Sequence, residues 1–227
     1  MSSHNESSIS SEALEFHQKL LPFCASGDVC GALEVIRRNW PQKQLVEFLA
    51  VSDVRIAELA ALALGCTGDK GSLDALARKL QDGDDKVSAA AEHAMWSIWL
   101  RSGNEKSLRY LKCGCEHLKH GNLETAIEKF TMAIAEDADF SEAFNQRAIA
   151  YYLSNQYDKS IADCRRVLTK MPMHFGAIAG MGHCHAELND LQAARICYQA
   201  ALHIHPGMEG IIESLRSVEQ ILSGKKQ

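Results

Sequence analysis

Apolar residues recur every three or four positions along most of the chain, and this spacing predicts a succession of amphipathic helices. In the second half, the pattern itself repeats every 34 residues. Each period contains a turn signal, since Gly and Asn tolerate the left-handed backbone that a tight connection between helices needs. The three signals are Gly121-Asn122-Leu123, Asn155-Gln156-Tyr157 and Asn189-Asp190-Leu191. These features predict an all-α fold, an α-solenoid of antiparallel helix pairs.

The helix before each turn carries a small residue at the same register. Gly114, Ala148 and Gly182 are 34 positions apart, and side chains this small let the two helices of a pair approach closely. Pro172 and Pro206 have the same spacing. They are expected to stop the second and third pairs, because proline cannot continue a helix.

These positions resemble the signature of the tetratricopeptide repeat, a helix–turn–helix unit that stacks into a right-handed superhelix. The resemblance covers residues 107–206 as three repeats. Residues 207–227 carry one apolar stripe and one charged face, which predicts a C-terminal capping helix and a short tail. The chain departs from the signature where Leu, Tyr or Ala is expected, at Cys113, His117, Arg147, Ser160, Met181 and His185.

The first half repeats less regularly. Ser52-Asp53-Val54-Arg55 opens an apolar helix, and a second, degenerate copy begins near Lys86. Residues 12–106 thus resemble HEAT-like repeats of the phycobilisome-lyase type. No Pro/Ser-rich linker occupies residues 103–106, so we expect both sets of helices to form one solenoid.

The N-terminal segment gives weaker signals. Residues 1–11 are polar and Ser-rich and are expected to form a disordered tail. Helices are predicted beyond it, with an interruption at Pro22 and with turns at Ser26-Gly27-Asp28 and Trp40-Pro41.

Composition narrows the classes of function. The net charge of −5 argues against a protein that binds nucleic acid through phosphate contacts. No apolar run approaches the roughly 20 residues needed to cross a bilayer, so no membrane role is expected. The N-terminus does not resemble a secretory signal, and a cytoplasmic protein with reduced cysteines is predicted. The oligomeric state stays open.

Eight cysteines and ten histidines raise the question of metal binding. The sharpest candidate is Cys113-x-Cys115-x-His117-x2-His120, because thiolate and imidazole suit zinc. In the repeat register, however, Cys113 and His117 fall where buried apolar residues are expected, and a free cysteine behaves as a small hydrophobe. Core filling is therefore favoured, and neither a metal nor another cofactor is predicted.

Sequence motifs give no positive signal for catalysis. The chain has no Gly-rich nucleotide loop, no Gly-x-Ser-x-Gly elbow and no His-Glu dipeptide of the kind that holds metal in HEAT-like hydroxylases. We therefore predict a non-enzymatic scaffold or adaptor without catalytic residues. A lyase-like or metal-binding helical accessory protein is the alternative.

The resemblance implies that the first helix of each pair lines a concave surface, where partner peptides bind. That surface is mostly apolar here, which predicts an apolar segment of another protein as the ligand, with Ile149 and Tyr152 as central anchors. Helical spacing gives the candidate contact residues Leu111, Cys115, Leu118, Asn145, Ile149, Tyr152, Leu153 and His183.

One subtype of the family clamps the carboxylate terminus of heat-shock chaperones with two Lys, two Asn and an Arg. Carried onto this chain, those positions are Leu111, Cys115, Gln146, Gly176 and Gly180. Only Gln146 keeps an amide, and no cation remains to pair with a carboxylate, so the resemblance does not extend to that clamp. An alternative for the groove is that the first half packs against Leu108 and Leu111 and closes part of it.

Overall fold

A computed structural model describes residues 10–81 and 84–224. These residues form α-helices and one short 3-10 turn, and no strand occurs among them, which confirms the predicted all-α solenoid class. Residues 1–9 of the predicted tail, Asp82-Gly83 and residues 225–227 lie outside the described residues. The helices are α1 (Ser11–Ser26), α2 (Val29–Asn39), α3 (Gln42–Leu49), α4 (Val54–Thr67), α5 (Leu73–Lys79), α6 (Asp85–Leu100), α7 (Glu105–Lys119), α8 (Leu123–Glu136), α9 (Ser141–Leu153), α10 (Tyr157–Lys170), α11 (Phe175–Glu187), α12 (Leu191–Ile204) and α13 (Glu209–Leu222).

The chain divides into two compact units, one up to Ile98 and one from Trp99 onward. The division falls inside α6 rather than at the join near residue 106. A single continuous solenoid of both repeat types stays a prediction, and the two units are described separately below.

The N-terminal unit is organised around an aromatic cluster. The ring of Phe16 on α1 lies 5.0 Å from that of Trp40 and 5.0 Å from that of Phe48 on α3. The predicted interruption at Pro22 is wrong, because α1 continues through it to Ser26 and ends at Gly27, whose φ is +70°. A proline removes one N–H from the helix, and here that loss near the last turn does not end it.

The predicted start of α4 is confirmed in detail. Asp53 caps the helix by accepting a hydrogen bond from the Arg55 N–H, and the Arg55 guanidinium donates back to the carboxylate at 2.7 Å. These contacts with Arg55 lower the pKa of Asp53 to about 2. The local Asp-Val-Arg pattern therefore works as a helix cap, while the HEAT-like assignment of residues 12–106 remains a prediction.

The C-terminal unit contains three helix pairs followed by α13. The connections turn at the predicted residues, since Gly121, Asn155 and Asn189 have φ values of 75°, 58° and 58°. The glycines before the first and third turns, Gly114 and Gly182, face large rings. A Cβ on Gly114 would lie 2.5 Å from the Phe130 ring, so only glycine permits the observed approach of α7 to α8.

The first helices of the pairs lie side by side. Helix α9 contacts both α7 and α11, while each second helix packs against its own pair and the next one. This arrangement places the candidate groove residues of α7, α9 and α11 on one layer of the unit.

Candidate functional site

The exposed part of the first-helix layer centres on the C-terminal half of α9. Ile149 and Leu153 are 39% and 51% exposed, although both are large apolar residues. Tyr152 lies between them in sequence and is half-buried. An exposed apolar patch of this kind marks a surface that can bind another apolar group.

Helix α11 adds an aromatic and polar border to this patch. The ring centroids of Tyr152 and His183 lie 6.2 Å apart, and the Tyr157 ring lies 5.7 Å from Tyr152. The hydroxyl of Tyr198 on α12 lies at hydrogen-bonding distance, 2.9 Å, from His183 Nδ1. These contacts bring together side chains from four helices and fix the orientation of the His183 ring.

Both titratable groups at this border are neutral at pH 7. Burial lowers the pKa of His183, and the nearby Glu187 opposes this shift without reversing it. Burial and the Glu187 carboxylate raise the pKa of Tyr152. The border therefore offers hydrogen bonds and aromatic faces rather than a positive charge.

Two predicted contact residues are not on the open surface. Leu111 is 4% exposed and packs with Phe130 and Phe140 in the core of the unit. Asn145 is 3% exposed and donates to Glu142 Oε1 at 3.0 Å. Their assignment to the groove is wrong, because helical spacing gives the direction of a side chain but not what covers it.

The cover at Asn145 comes from a buried polar cluster. Glu142 and His174 have no exposed side-chain surface, and their Oε2 and Nε2 atoms lie 3.1 Å apart. His174 Nδ1 accepts the Ala177 backbone N–H, so the proton of the neutral ring is on Nε2 and is donated to Glu142. Trp99 stacks on His174 with 3.9 Å between ring centroids and closes the cluster.

Helix α7 supplies the remaining predicted residues. Cys115 and Leu118 are partly buried and pack against the apolar core around Phe130. Burial, together with the Glu142 and Glu116 carboxylates, raises the pKa of Cys115 to about 11, so its thiol stays protonated and uncharged. The predicted groove residues that remain exposed or half-buried are therefore Cys115, Leu118, Ile149, Tyr152, Leu153 and His183. Their role in binding stays a prediction.

Core filling holds for only part of the Cys/His pattern. Cys164 is buried. Cys113 is exposed, so the predicted burial of Cys113 is wrong. The corresponding side chain of the second pair, Arg147, reaches back to Thr131 on α8.

Within residues 10–81 and 84–224, no group of three or more His, Cys, Asp or Glu side chains is arranged to hold a metal ion. Cys113, Cys115, His117 and His120 are therefore not brought together as a ligand set.

Sequence reasoning missed Tyr157 as a border residue and the cluster of Glu142, His174 and Trp99. Tyr157 opens the second helix of its pair and reaches Tyr152 only because the turn folds back. The cluster joins residues far apart in the chain, and no local pattern signals it. Glu142 alone could have been noticed, as a carboxylate within a mostly apolar helix face.

Comparisons with known proteins agree with this geometry. A TPR repeat-containing protein of Rhizobium etli is 26% identical over 142 residues, which cover 63% of this chain and 69% of that protein. A solved structure, the first TPR of Spaghetti (RPAP3) bound to an HSP90 peptide, matches 52% of this chain and 94% of that chain with a TM-score of 0.52. This chain contains a tetratricopeptide-repeat fold. The sequence identity to that structure is 23%, so the likeness concerns the fold.

The tetratricopeptide repeats also match longer proteins. Tetratricopeptide repeat protein 12 of Homo sapiens is 29% identical over 96 residues, which are 42% of this chain but 14% of that protein. No protein-family model matches the chain. Among the helices of the described ranges, none combines the length and the apolar composition needed to cross a membrane.

Proposed function

We propose that this protein is a non-enzymatic adaptor whose tetratricopeptide groove binds an apolar segment of another protein. The observation that carries the proposal is the exposed apolar face of α9, with Ile149 and Leu153 beside the Tyr152–His183 border. Apolar side chains of a peptide would cover this face, and the border would hydrogen-bond its backbone. Roughly micromolar affinity, about −8 kcal/mol, is expected from so small a surface.

The solved structure named above binds an HSP90 peptide, SRMEEVD, whose C-terminal carboxylate is a different kind of ligand. Of the clamp positions, Leu111 is buried, Cys115 is a neutral thiol, and two are glycines, Gly176 and Gly180. A carboxylate terminus would find no cation there. We therefore propose an internal apolar segment as the ligand rather than a chaperone C-terminus.

The proposed setting is a cytoplasmic scaffold. The alternative of a lyase-like or metal-binding accessory protein has no ligand set to rest on within the described ranges. In the adaptor that we propose, the HEAT-like half of this chain serves as a second protein-binding surface rather than as a catalytic unit.

Selection from a random peptide library on the immobilised full chain provides the probe for a direct test. Selected peptides should be apolar and should lose binding to the Ile149→Asp and Tyr152→Ala variants at least tenfold, because a buried charge or a missing ring removes a central anchor. Free SRMEEVD should not displace them. Fluorescence anisotropy measures each affinity.

The matched control is Ile196→Asp, which places the same charge on a still more exposed isoleucine of α12. This variant should bind like the native chain, and far-UV circular dichroism should show equal helicity for all three variants. Equal binding by Ile149→Asp and the native chain would refute the groove, as would selected peptides that SRMEEVD displaces.

A further inference from the structure

A second cleft of about 840 Å³ opens on the other side of the C-terminal unit, among α8, α9 and α10. Its volume is in the range of ligand-binding pockets. Phe144 and Tyr151 of α9 line it with aromatic surface, and α10 borders it with a row of charged side chains. None of these residues belongs to the groove described above.

Arg147 lines the cleft at a register where the repeat signature expects leucine. Its guanidinium donates to both carboxylate oxygens of Asp163, at 2.7 and 2.9 Å, and to Thr131 Oγ1 at 3.0 Å. Burial alone would lower the pKa of Arg147, but Asp163 outweighs that effect and the pKa is raised. The charges of Arg147 and Asp163 therefore cancel, and the pair forms a neutral part of the cleft wall.

The other cations of the cleft differ in whether they are neutralised. Lys170 contacts the Asp139 carboxylate, which cancels its charge. Among the described residues, Lys159 donates only to the uncharged Gln156 amide oxygen, at 2.6 Å. Arg166 lies over the Phe144 ring, 5.8 Å from its centroid, and has no carboxylate partner in residues 10–81 and 84–224. Two positive charges thus remain unneutralised at the cleft, although the whole chain carries −5.

Lys159 and Arg166 are seven positions apart on α10 and lie on the same face of the helix. Two helical turns separate them by about 10.5 Å along the axis. The Lys159 ammonium also lies over the Tyr151 ring, 5.5 Å from its centroid. Each cation is therefore held beside an aromatic ring at one end of the cleft, and each keeps donors for an incoming anion.

We propose that this cleft binds an acidic peptide segment of a partner protein, through two carboxylates about 10 Å apart that reach Lys159 and Arg166. An extended polyproline-type segment repeats every three residues and advances about 9 Å in that distance, so acidic residues at positions i and i+3 fit the spacing. The protein would then hold two different segments, an apolar one in the groove and an acidic one in the cleft. This proposal does not depend on the proposed function of the groove.

A nucleic acid fits the cleft less well. Phosphates would require a longer track of cations than two, and half of the positive charges here are already paired. The two negative charges of a carboxylate pair, by contrast, match the two unneutralised positive charges of Lys159 and Arg166. The choice between these two classes of ligand is part of the test.

The probe is a fluorescein-labelled, capped peptide of sequence Pro-Glu-Pro-Pro-Glu-Pro, titrated against the full chain. The same peptide with Gln at both Glu positions is the control ligand. We expect the Glu peptide to bind with an affinity that falls as salt is added, and the Gln peptide to bind at least tenfold more weakly. An oligothymidylate of similar charge should bind no more tightly than the Glu peptide.

The Lys159→Ala/Arg166→Ala variant should weaken binding of the Glu peptide about tenfold or more, because it removes both unneutralised charges. Both side chains are exposed, so the fold should be retained, and far-UV circular dichroism checks this. The matched control is Lys112→Ala/Lys119→Ala, which removes two exposed lysines with the same spacing from α7. That control and Ile149→Asp should bind the Glu peptide like the native chain.

Three results would overturn the proposal. The first is equal binding of the Glu and Gln peptides. The second is an equal loss of affinity in the α7 control, which would indicate unspecific attraction. The third is tighter binding of the oligothymidylate that the Lys159→Ala/Arg166→Ala variant abolishes, which would assign the cleft to nucleic acid. Failure of the groove would show in the Ile149→Asp and Tyr152→Ala experiments and would leave these results unchanged.

Discussion

Replacing the Arg147–Asp163 pair tests how the chain compensates for a charged residue at an apolar register. The side chains of Arg147 and Asp163 are 16% and 6% exposed. In Asp163→Ala, the guanidinium would keep only its hydrogen bond to Thr131. In the double variant Arg147→Leu/Asp163→Ala, the leucine of the repeat signature is restored and no charge stays behind.

The magnitudes of the two changes differ in a predictable way. Breaking a buried ion pair costs about 3–5 kcal/mol, and the partial exposure of Arg147 places Asp163→Ala near the lower end, at about 3 kcal/mol. For a chain of this length, such a loss lowers the Tm by roughly 6–12 °C. In the double variant, the buried leucine contributes about 1.5–3 kcal/mol and no ion needs desolvation. We expect that variant to lie within about 1 kcal/mol of the native protein or above it.

Urea unfolding followed by far-UV circular dichroism gives the free energy of unfolding of each variant. Thr131 should not contribute to the difference, because its hydroxyl donates to the Ile127 carbonyl at 2.7 Å and stays satisfied in all variants. The reasoning fails if the double variant is as unstable as Asp163→Ala. That result would mean that the cost comes from lost shape at the site rather than from an unpaired charge.

Three further perturbations follow from the packing. Gly182→Ala should lower the Tm, because the new Cβ would lie 2.6 Å from the Tyr198 ring. Gly210→Ala has open space around it and should gain about 0.5 kcal/mol in helix stability. A gain in stability for both variants would contradict the close approach of α11 to α12. Glu142→Ala should cost about 3 kcal/mol or more in urea unfolding, since two buried donors and one partly buried donor lose their acceptor. A cost below about 1 kcal/mol would refute the buried cluster. Burial raises the pKa of Cys164 from 9.0 to about 12, so the thiol loses its proton at a higher pH in the folded state than in the unfolded state. The free energy of unfolding should therefore fall from pH 9 toward pH 12. Cys164→Ala should make this fall less steep.

The repeat architecture could be predicted because its signals are local. A turn at Asn155 or Asn189 needs only a residue that accepts a positive φ, and a close helix pair needs only a small residue opposite a large one. Both requirements recur at a fixed period, so each copy supports the others. The turn residues and the helix pairs could therefore be predicted from the sequence without knowledge of distant contacts.

The open part of the groove depends on contacts that no period encodes. Asn145 has the register of a groove residue, yet it is buried and bonded to Glu142, which in turn contacts His174 beside the Trp99 ring. Cys113 has the register of a core residue, yet it lies exposed on the first helix of the first pair. Arg147 was visible as a departure from the signature, but its partner Asp163, 16 positions away, was not. Repetition predicts the direction of a side chain, and only the tertiary structure supplies its neighbours.

His174 belongs to two helix pairs at once. One ring nitrogen accepts the Ala177 N–H and so caps α11, and the N–H of the other donates to the Glu142 carboxylate on α9. In a linear array, each helix pair contacts only its neighbours. A residue that joins two pairs therefore limits how far local unfolding spreads from one end. Fraying that begins at the C-terminal end can release α13 and α12 one after the other. Beyond that point, α11 cannot leave without removing the His174 N–H from the buried Glu142 carboxylate, so α11 should open together with α9 and α10 as one cooperative block.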